Sequence, residues 1–234
     1  MNVSMNFEFE KRISEVEYYF FCLRQLYTFN EQKQSETLKK KMKNDVYDFQ
    51  DFLVILKANS FIVLYNLVEA SVKNFIIGIY DEVAMQNLSY NDICDKLKKM
   101  WIDVYYNDLS HTTTNYSQHK EKAKKMIEFI IAENKVDFGD EVKLSGNADL
   151  QQIKKMFDKH GMNIDSSVIQ NAGEGLLEVK NKRNHIAHGN ISFIEGGRDS
   201  SITDLNQYKD EIIRFLNALN KEVSEYIDNQ KYLC

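Results

Sequence analysis

The stretch FIVLYNLVEASVKNFI, residues 61–76, decides the fold of this chain. Its large apolar residues recur in alternating steps of four and three, at Phe61, Tyr65, Val68, Val72 and Phe75. This spacing places them on one side of an α-helix, so it predicts an apolar stripe along a helix over residues 46–84. Other apolar residues fill the remaining sides, which predicts that this helix runs through the centre of the domain.

The scarcity of helix-breaking residues extends this prediction to the whole chain. Proline is absent from the 234 residues, and glycine occurs only nine times. Average usage would give roughly a dozen prolines in a chain of this length. Because proline interrupts helix interiors, its absence favours long helices over many short strands. We therefore predict an all-α protein, an up-and-down bundle of four to five core helices with extra N-terminal and connecting helices.

Helical periodicity also predicts helices before and after the central one. They span residues 7–29, 90–108, 116–134, 149–161, about 174–188, and 203–229. Gly161 is placed to end its helix, and Ser201 with Asp204 forms a capping pair at the start of the last one. HTTTN, residues 111–115, joins the helices predicted over residues 90–108 and 116–134.

The polar segments are predicted as follows. The lysine-rich residues 32–44 form a solvated helix or a linker. Three glycine-containing segments are predicted as loops, the first with a brief extended pair: residues 136–148, 162–175 and 190–203. We divide the chain into an N-terminal helical extension over residues 1–45, which is part of the same domain or an arm, and a helical domain over residues 46–234.

Charge and cysteine usage exclude several classes of protein. The net charge of −5 and the pI near 5.6 argue against a general basic coat for nucleic acid, although they allow a small basic active site. The three scattered cysteines form no CxxC pair, which disfavours a disulfide framework or a structural zinc site. The longest charge-free apolar stretch, residues 58–68, is too short to span a bilayer. With no leader-like start, we expect a cytoplasmic protein that does not enter a membrane.

One polar cluster interrupts this helical pattern, KNKRNHIAHGN at residues 180–190. On a helix, His185 and His188 are three residues apart and share a face, as do Asn184 and His188, four apart. Arg183 lies about 140° around the axis from His188, so the two flank one edge. A first interpretation is a polar helix end, because cations interact well with the negative end of the helix dipole.

Two chemical interpretations stand beside it. His185 and His188 could share a metal ion, but zinc needs at least a third protein ligand, for which Glu69 or Glu178 would have to serve. Alternatively, Arg183, Asn184 and His188 contain the parts for cleaving RNA without a metal. An imidazole can move the proton of a ribose 2′-OH, and a guanidinium can stabilise the charged phosphate.

The cluster also resembles a known motif. RNHIAH, residues 183–188, resembles the R-x4-6-H motif of the HEPN superfamily, in which Asn, Asp or His usually follows the arginine. YNLVEASVKNFI, residues 65–76, resembles the central helix of small bacterial HEPN proteins, with Glu69 as its acidic member. The resemblance covers residues 46–230.

The resemblance implies a homodimer in which both motifs face one groove, and a metal-independent endoribonuclease without cofactors, often a toxin or an antiviral effector. Arg183 would then bind the scissile phosphate, His188 would act as general acid or base, and Asn184 would position them. Glu69 would support the site by pairing with Arg183. His185 has no role in the family motif, and it would pack or form a hydrogen bond.

One departure from the family pattern keeps an alternative open. Some toxins of this family are silenced by a partner nucleotidyltransferase, and they often carry a tyrosine two residues after the motif histidine. This chain has Asn190 there, so modification of such a tyrosine by a partner is not expected. Some HEPN proteins are not nucleases. The alternative is therefore a non-catalytic module of a defence or toxin–antitoxin system that dimerises or binds RNA or a partner protein.

Overall fold

A computed structural model describes residues 3–32, 35–108, 116–139 and 148–234, and these residues fold into helices. The helices are α1 Val3–Asn30, α2 Glu36–Met42, α3 Phe49–Met85, α4 Asp95–Asp108, α5 Tyr116–Ile131, α6 Leu150–His160, α7 Ser166–Ala187, α8 Phe193–Arg198 and α9 Ile202–Asp228. In the described ranges, extended pairing is confined to the isolated bridges Ser89–Lys135 and Ile93–Leu233. The all-α prediction is confirmed.

Helix α3 is the centre of the bundle, as its sequence predicted. All five residues of the predicted stripe, from Phe61 to Phe75, are completely buried. The helix begins at a capping box in which the side chains of Asp48 and Asp51 accept each other's backbone N–H groups. Helices α1, α7, α8 and α9 all pack against it. By length and composition alone α3 could also cross a membrane, but the core helix of a bundle passes the same test.

Two further long helices contribute to the core around α3. In α9, Leu205, Ile212 and Phe215 are buried, and Ser201 and Asp204 form the predicted capping box at its start. Helix α1 contributes Phe9 and Phe20 to the same hydrophobic core. The proposed division of the chain at residue 45 stays a prediction.

The first correction concerns residues 162–175, which were expected to form a loop. Most of them belong to α7, which begins at Ser166 because Asp165 caps it by accepting the N–H of Ser167. Gly175 is not a loop glycine but a contact point. A β-carbon there would overlap the carboxylate of Glu211 and touch Tyr208, so glycine lets α7 pack closely on α9.

The second correction concerns residues 190–203, also expected to form a loop. They contain the short helix α8, which begins at a capping box formed by Ser192 and Glu195. Gly196 and Gly197 are buried, and a β-carbon on Gly197 would overlap the carbonyl oxygen of Val54. Gly197 therefore lets the backbone of α8 lie directly on α3.

The remaining segments agree in part with the prediction. Gly161 ends α6 in the left-handed conformation with φ 83°, as predicted. The lysine-rich segment contains the short helix α2, and α4 begins five residues later than expected, at Asp95. The connection over residues 111–115 and most of the expected loop over residues 136–148 lie outside the described residues.

Candidate functional site

The predicted site residues lie at the C-terminal end of α7, and Arg183 occupies a core position there. The buried apolar residues of α7 are Ala172, Leu176, Val179 and Ile186, in steps of four, three and seven. Arg183 falls four residues after Val179 and three before Ile186. Its side chain therefore projects toward the bundle, and the residue is half-buried.

The guanidinium of Arg183 stacks on an aromatic ring of the central helix. Its central carbon lies 4.2 Å from the centre of the Tyr65 ring, which is completely buried. The Tyr65 hydroxyl accepts the backbone N–H of Ala148 at 3.0 Å, which fixes the ring. A cation over the face of an aromatic ring is stabilised by about 0.5–2 kcal/mol, more as the pair is more desolvated. The contact therefore holds Arg183 in one orientation.

Asn184 adds a second restraint on Arg183. The Nη1 atom of Arg183 donates to the side-chain oxygen of Asn184 at 3.0 Å. This hydrogen bond joins two consecutive residues of α7. The guanidinium has five N–H donors, and most of its donor capacity stays available for an anion.

The two histidines at the end of α7 differ in their backbone roles. His188 is the C-cap residue, and its backbone N–H donates to the carbonyl of Asn184 at 3.0 Å. The carbonyl of His185 accepts the N–H of Asn190 at 2.9 Å, where Gly189 turns the chain with φ 71°. Both imidazoles are exposed. In the described ranges, no hydrogen bond or ion pair engages the His188 ring, so it is accessible to a substrate.

The lysines around Arg183 are engaged by the protein. Lys182 binds Asp199 at 2.9 Å, and this hydrogen bond lowers the pKa of the Asp199 carboxyl below its usual value. Lys180 binds Asp149 at 2.9 Å. These ion pairs anchor α7 to the segments beside it. Among the described residues, no carboxylate pairs with Arg183.

Glu69 does not take the place expected for it. It is half-buried on α3, one helical turn after Tyr65. Across the described residues, Glu69 forms no hydrogen bond and no ion pair, so the expected Glu69–Arg183 pair is absent there. The Tyr65 ring, rather than a carboxylate, lies against the guanidinium.

The metal interpretation lacks a complete ligand set. No group of three or more His, Cys, Asp or Glu side chains comes together in the described part of the chain in a way that could hold an ion. His185 and His188 thus lack a third protein ligand there, and neither Glu69 nor Glu178 supplies it.

Two features of the site were missed by the sequence analysis. Tyr65 was assigned only to the core, because its contact with Arg183 depends on how α7 lies across α3. Leu177 is 55% exposed although it is a large apolar residue. It precedes Asn184 by seven residues and His188 by eleven, so the three share one face of α7. Leu177 lies about two helical turns before Asn184, and its place on this face could be read from the residue spacing, whereas its exposure could not.

A family model described as MAE_28990-like HEPN matches residues 3–232 of this chain. The matched range contains all the helices from α1 to α9 and includes the motif at the end of α7. No curated protein matches the chain, and no solved structure matches it.

Proposed function

This chain is a member of the MAE_28990-like HEPN family, and we propose that it is a metal-independent endoribonuclease of the cytoplasm. The observation that supports this most directly is the arrangement at the end of α7. Arg183 is held by Tyr65 and Asn184, whereas the imidazole of His188 is exposed at the next turn. Arg183 and His188 are five residues apart and about 140° apart around the helix axis, so they flank the site rather than share a face. A held cation and an accessible acid–base group are the parts that attack on a phosphate requires.

The proposed reaction is cleavage by the neighbouring 2′-OH. His188 takes the proton of the ribose 2′-OH, or donates a proton to the leaving 5′ oxygen. Arg183 donates to the phosphate oxygens, where negative charge grows as the pentacoordinate state forms. Asn184 positions Arg183 through the hydrogen bond to Nη1. The expected products carry a 2′,3′-cyclic phosphate and a 5′-hydroxyl.

We infer that the enzyme is a homodimer with both motifs facing one groove. The exposed Leu177 lies on the same face of α7 as Asn184 and His188, and Phe193 is exposed at the start of α8. Apolar side chains beside a polar site are typical of the core of a subunit interface. Two Arg183 side chains in one groove would give the RNA backbone a positive surface despite the net charge of −5.

Cleavage of a defined RNA in the presence of EDTA tests this proposal. The purified protein should produce 2′,3′-cyclic phosphate ends, and His188→Ala should reduce the rate by at least two orders of magnitude while the helix content is kept. His185→Ala is the matched control, because it removes an exposed imidazole three residues away on the same helix. Equal rates for the parent and His188→Ala would refute the assignment.

A toxin or antiviral effector role follows from the same activity. Expression of the parent in bacterial cells should arrest growth and degrade cellular RNA, whereas His188→Ala should be tolerated. A partner protein that binds the site would suppress the arrest. If the parent cleaves RNA in vitro but is harmless in cells at the same expression level, the effector role is wrong.

A second function is favoured by the outer face of α1. Phe7, Tyr18 and Phe21 are 66%, 68% and 49% exposed, and the rings of Tyr18 and Phe21 stack with their centres 6.4 Å apart. An exposed aromatic patch is typical of a protein-binding surface. The chain would then be a non-catalytic HEPN module that binds a partner. RNA cleavage that depends on His188 would rule this out as its sole function.

A further inference from the structure

The dipeptide Ala148–Asp149, at the start of α6, bonds to two helices that carry parts of the candidate site. The N–H of Ala148 donates to the hydroxyl of Tyr65 on α3 at 3.0 Å. The Oδ2 atom of Asp149 accepts the ammonium of Lys180 on α7 at 2.9 Å. The same dipeptide is thus tied both to the ring on which Arg183 stacks and to the helix from which Arg183 projects.

The Asp149 carboxylate is itself held in place by α6. Asp149 is the N-cap of this helix, and its Oδ1 atom accepts the N–H of Gln152 at 2.8 Å. Ile153 and Phe157 of the same helix are completely buried in the core. Burial by itself would raise the pKa of the Asp149 carboxyl, but its bonds to the Gln152 N–H and to the lysine ammonium outweigh burial, and the pKa is lowered. The carboxylate is therefore charged at neutral pH, and α6 holds it whether or not the Ala148 bond is formed.

Exposure distinguishes this ion pair from the Lys182–Asp199 pair. The side chains of Lys180 and Asp149 are 17% and 26% exposed, whereas that of Asp199 is 72% exposed. An exposed pair is screened by water and salt, so it restrains its two segments only weakly. A partly buried pair is screened less, and the Asp149 carboxylate is already ordered by the cap of α6. The Lys180–Asp149 pair is therefore the stronger restraint on α7.

Lys180 passes this restraint on to Arg183. The two residues are three apart in sequence and about 60° apart around the helix axis, so they lie on the same side of one turn of α7. From that side the guanidinium of Arg183 reaches the Tyr65 ring. A rotation or slide of this turn would carry the guanidinium away from the ring. A misplacement of about 1 Å can slow a reaction about 10²-fold, so the position of this turn matters for the proposed chemistry.

We propose that Asp149 is a positioning residue for Arg183 and that it acts through Lys180 and α7. The inference rests on the proposed ribonuclease function, because it gives Asp149 a part in the same site. With the carboxylate present, the turn of α7 that carries Arg183 has a fixed point on α6. Without it, Arg183 spends less time in the orientation that binds the phosphate, although the helices themselves still form.

Asp149→Asn separates this role from the cap of α6. Asparagine caps a helix about as well as aspartate, so the variant keeps the bond to Gln152 but removes the charge that holds Lys180. We expect Asp149→Asn and Lys180→Gln each to cleave a defined RNA about tenfold more slowly, in protein that circular dichroism shows to be folded. The double variant should be no slower than either single one, because both changes remove the same pair. Lys182→Gln is the control and should cleave like the parent, whereas parent-like cleavage by Asp149→Asn would refute the proposal.

A combined substitution distinguishes positioning of Arg183 from a general loss of stability. If Asp149 acts through Arg183, Asp149→Asn should slow the Arg183→Lys variant by less than about twofold, because the orientation that Asp149 maintains is already lost there. A purely structural role would slow the parent and the Arg183→Lys variant by the same factor. Equal factors in the two proteins would therefore overturn the assignment.

The orientation of Arg183 can also be measured without RNA. The ring current of Tyr65 should shift the NMR signal of the Arg183 Nε–H group, and Arg183→Lys identifies that signal by removing it. In Asp149→Asn the signal should move toward that of a free arginine, whereas Lys182→Gln should leave it in place. If the parent cleaves no RNA, the ribonuclease proposal fails, and the NMR signal still decides whether Asp149 orients Arg183. An unchanged signal in Asp149→Asn would show that it does not.

Discussion

The guanidinium of Arg183 lies 4.2 Å from the centre of the Tyr65 ring, and so the motif arginine rests on the core of the bundle. Tyr65 is part of the fully buried stripe of α3, and Arg183 continues the buried stripe of α7. The arginine is thus ordered without a ligand, which would reduce the entropy lost on the proposed binding of a phosphate. Packing and the proposed chemistry depend on the same contact.

Replacement of Arg183 by lysine should remove most of the activity although it keeps the charge. Lysine has no planar group to stack on Tyr65 and cannot offer paired donors to a phosphate. We expect Arg183→Lys to cleave RNA about 10²-fold more slowly, as when one transition-state donor is lost. Lys182→Gln is the control, because Lys182 is bound to Asp199 and should change the rate little. Parent-like cleavage by Arg183→Lys would show that its charge alone suffices.

Two substitutions of Tyr65 should separate the ring from its hydroxyl. Tyr65→Phe keeps the ring but leaves the Ala148 N–H without this acceptor, so the free energy of unfolding should fall by about 1–2 kcal/mol with cleavage unchanged. Tyr65→Leu removes the surface on which Arg183 stacks, and cleavage should fall about tenfold in protein that circular dichroism shows to be folded. If Tyr65→Leu cleaves like the parent, Tyr65 does not position Arg183.

The long helices were predicted well from the sequence because their buried residues recur at helical spacing. The stripes of α3 and α9 follow from periodicity, since each residue's burial depends on its position along its own helix. Residues 162–175 and 190–203 were mispredicted because glycine was taken as a loop signal. Gly175 lets α7 approach α9, and Gly197 lets α8 approach Val54 of α3. Such contacts cannot be inferred from local spacing.

The same limit applies to the site. Arg183, Asn184 and His188 are close in sequence, so their resemblance to a known motif could be seen without a structure. Tyr65 is 118 residues before Arg183, and its contact depends on the crossing of α7 and α3. The expected Glu69–Arg183 pair is not formed for the same reason. Glu69 and Tyr65 lie one turn apart on α3, and the sequence does not determine which of them contacts Arg183.

Adjacent glycines of α8 should respond very differently to alanine. A β-carbon at Gly197 would overlap the backbone oxygen of Val54, which cannot move without shifting α3. At Gly196 the nearest atom is the side-chain end of Ile186, 2.9 Å away, which can rotate. We expect Gly197→Ala to lower the free energy of unfolding by about 3 kcal/mol and Gly196→Ala by about 1 kcal/mol. Urea unfolding checks this, and equal losses would contradict the close approach of α8 to α3.

A charge at Leu177 should dissociate the proposed dimer. Leu177 is exposed on the face of α7 that carries His188, and a buried carboxylate at an interface is costly unless it is paired. Leu177→Glu should sediment as a monomer at concentrations where the parent is a dimer, and its cleavage activity should fall with dimerisation. Ile131→Glu is the control, because Ile131 is 76% exposed at the end of α5. Dimeric, active Leu177→Glu would place the interface elsewhere.

His160 should make the stability of the protein depend on pH between about 4 and 6.5. The Nδ1 atom of His160 lies 2.7 Å from the carbonyl of Met156, to which it donates, and Nε2 accepts the hydroxyl of Tyr80 at 2.9 Å. Burial lowers the pKa of His160 to about 4, whereas an unfolded histidine titrates near 6.5. The unfolded chain therefore binds this proton first as the pH falls.

The sign and size of the effect follow from that difference in proton binding. The contribution of neutral His160 to the free energy of unfolding is fully present above about pH 6.5, and it is lost progressively as the pH falls toward 4. Between pH 7 and pH 5 the free energy of unfolding should fall by about 2 kcal/mol on account of His160. Unfolded Asp and Glu titrate at about pH 3.9 and 4.3, so carboxyl groups whose folded pKa is lowered add only a small further loss by pH 5.

Urea unfolding at pH 7 and pH 5 measures this loss directly. His160→Asn can still donate to Met156 but has no titrating group, so most of the decrease between the two pH values should disappear. His185→Asn should keep the decrease, because it removes an exposed histidine and leaves the buried one in place. If His160→Asn loses as much stability as the parent between pH 7 and pH 5, the buried imidazole does not cause the dependence.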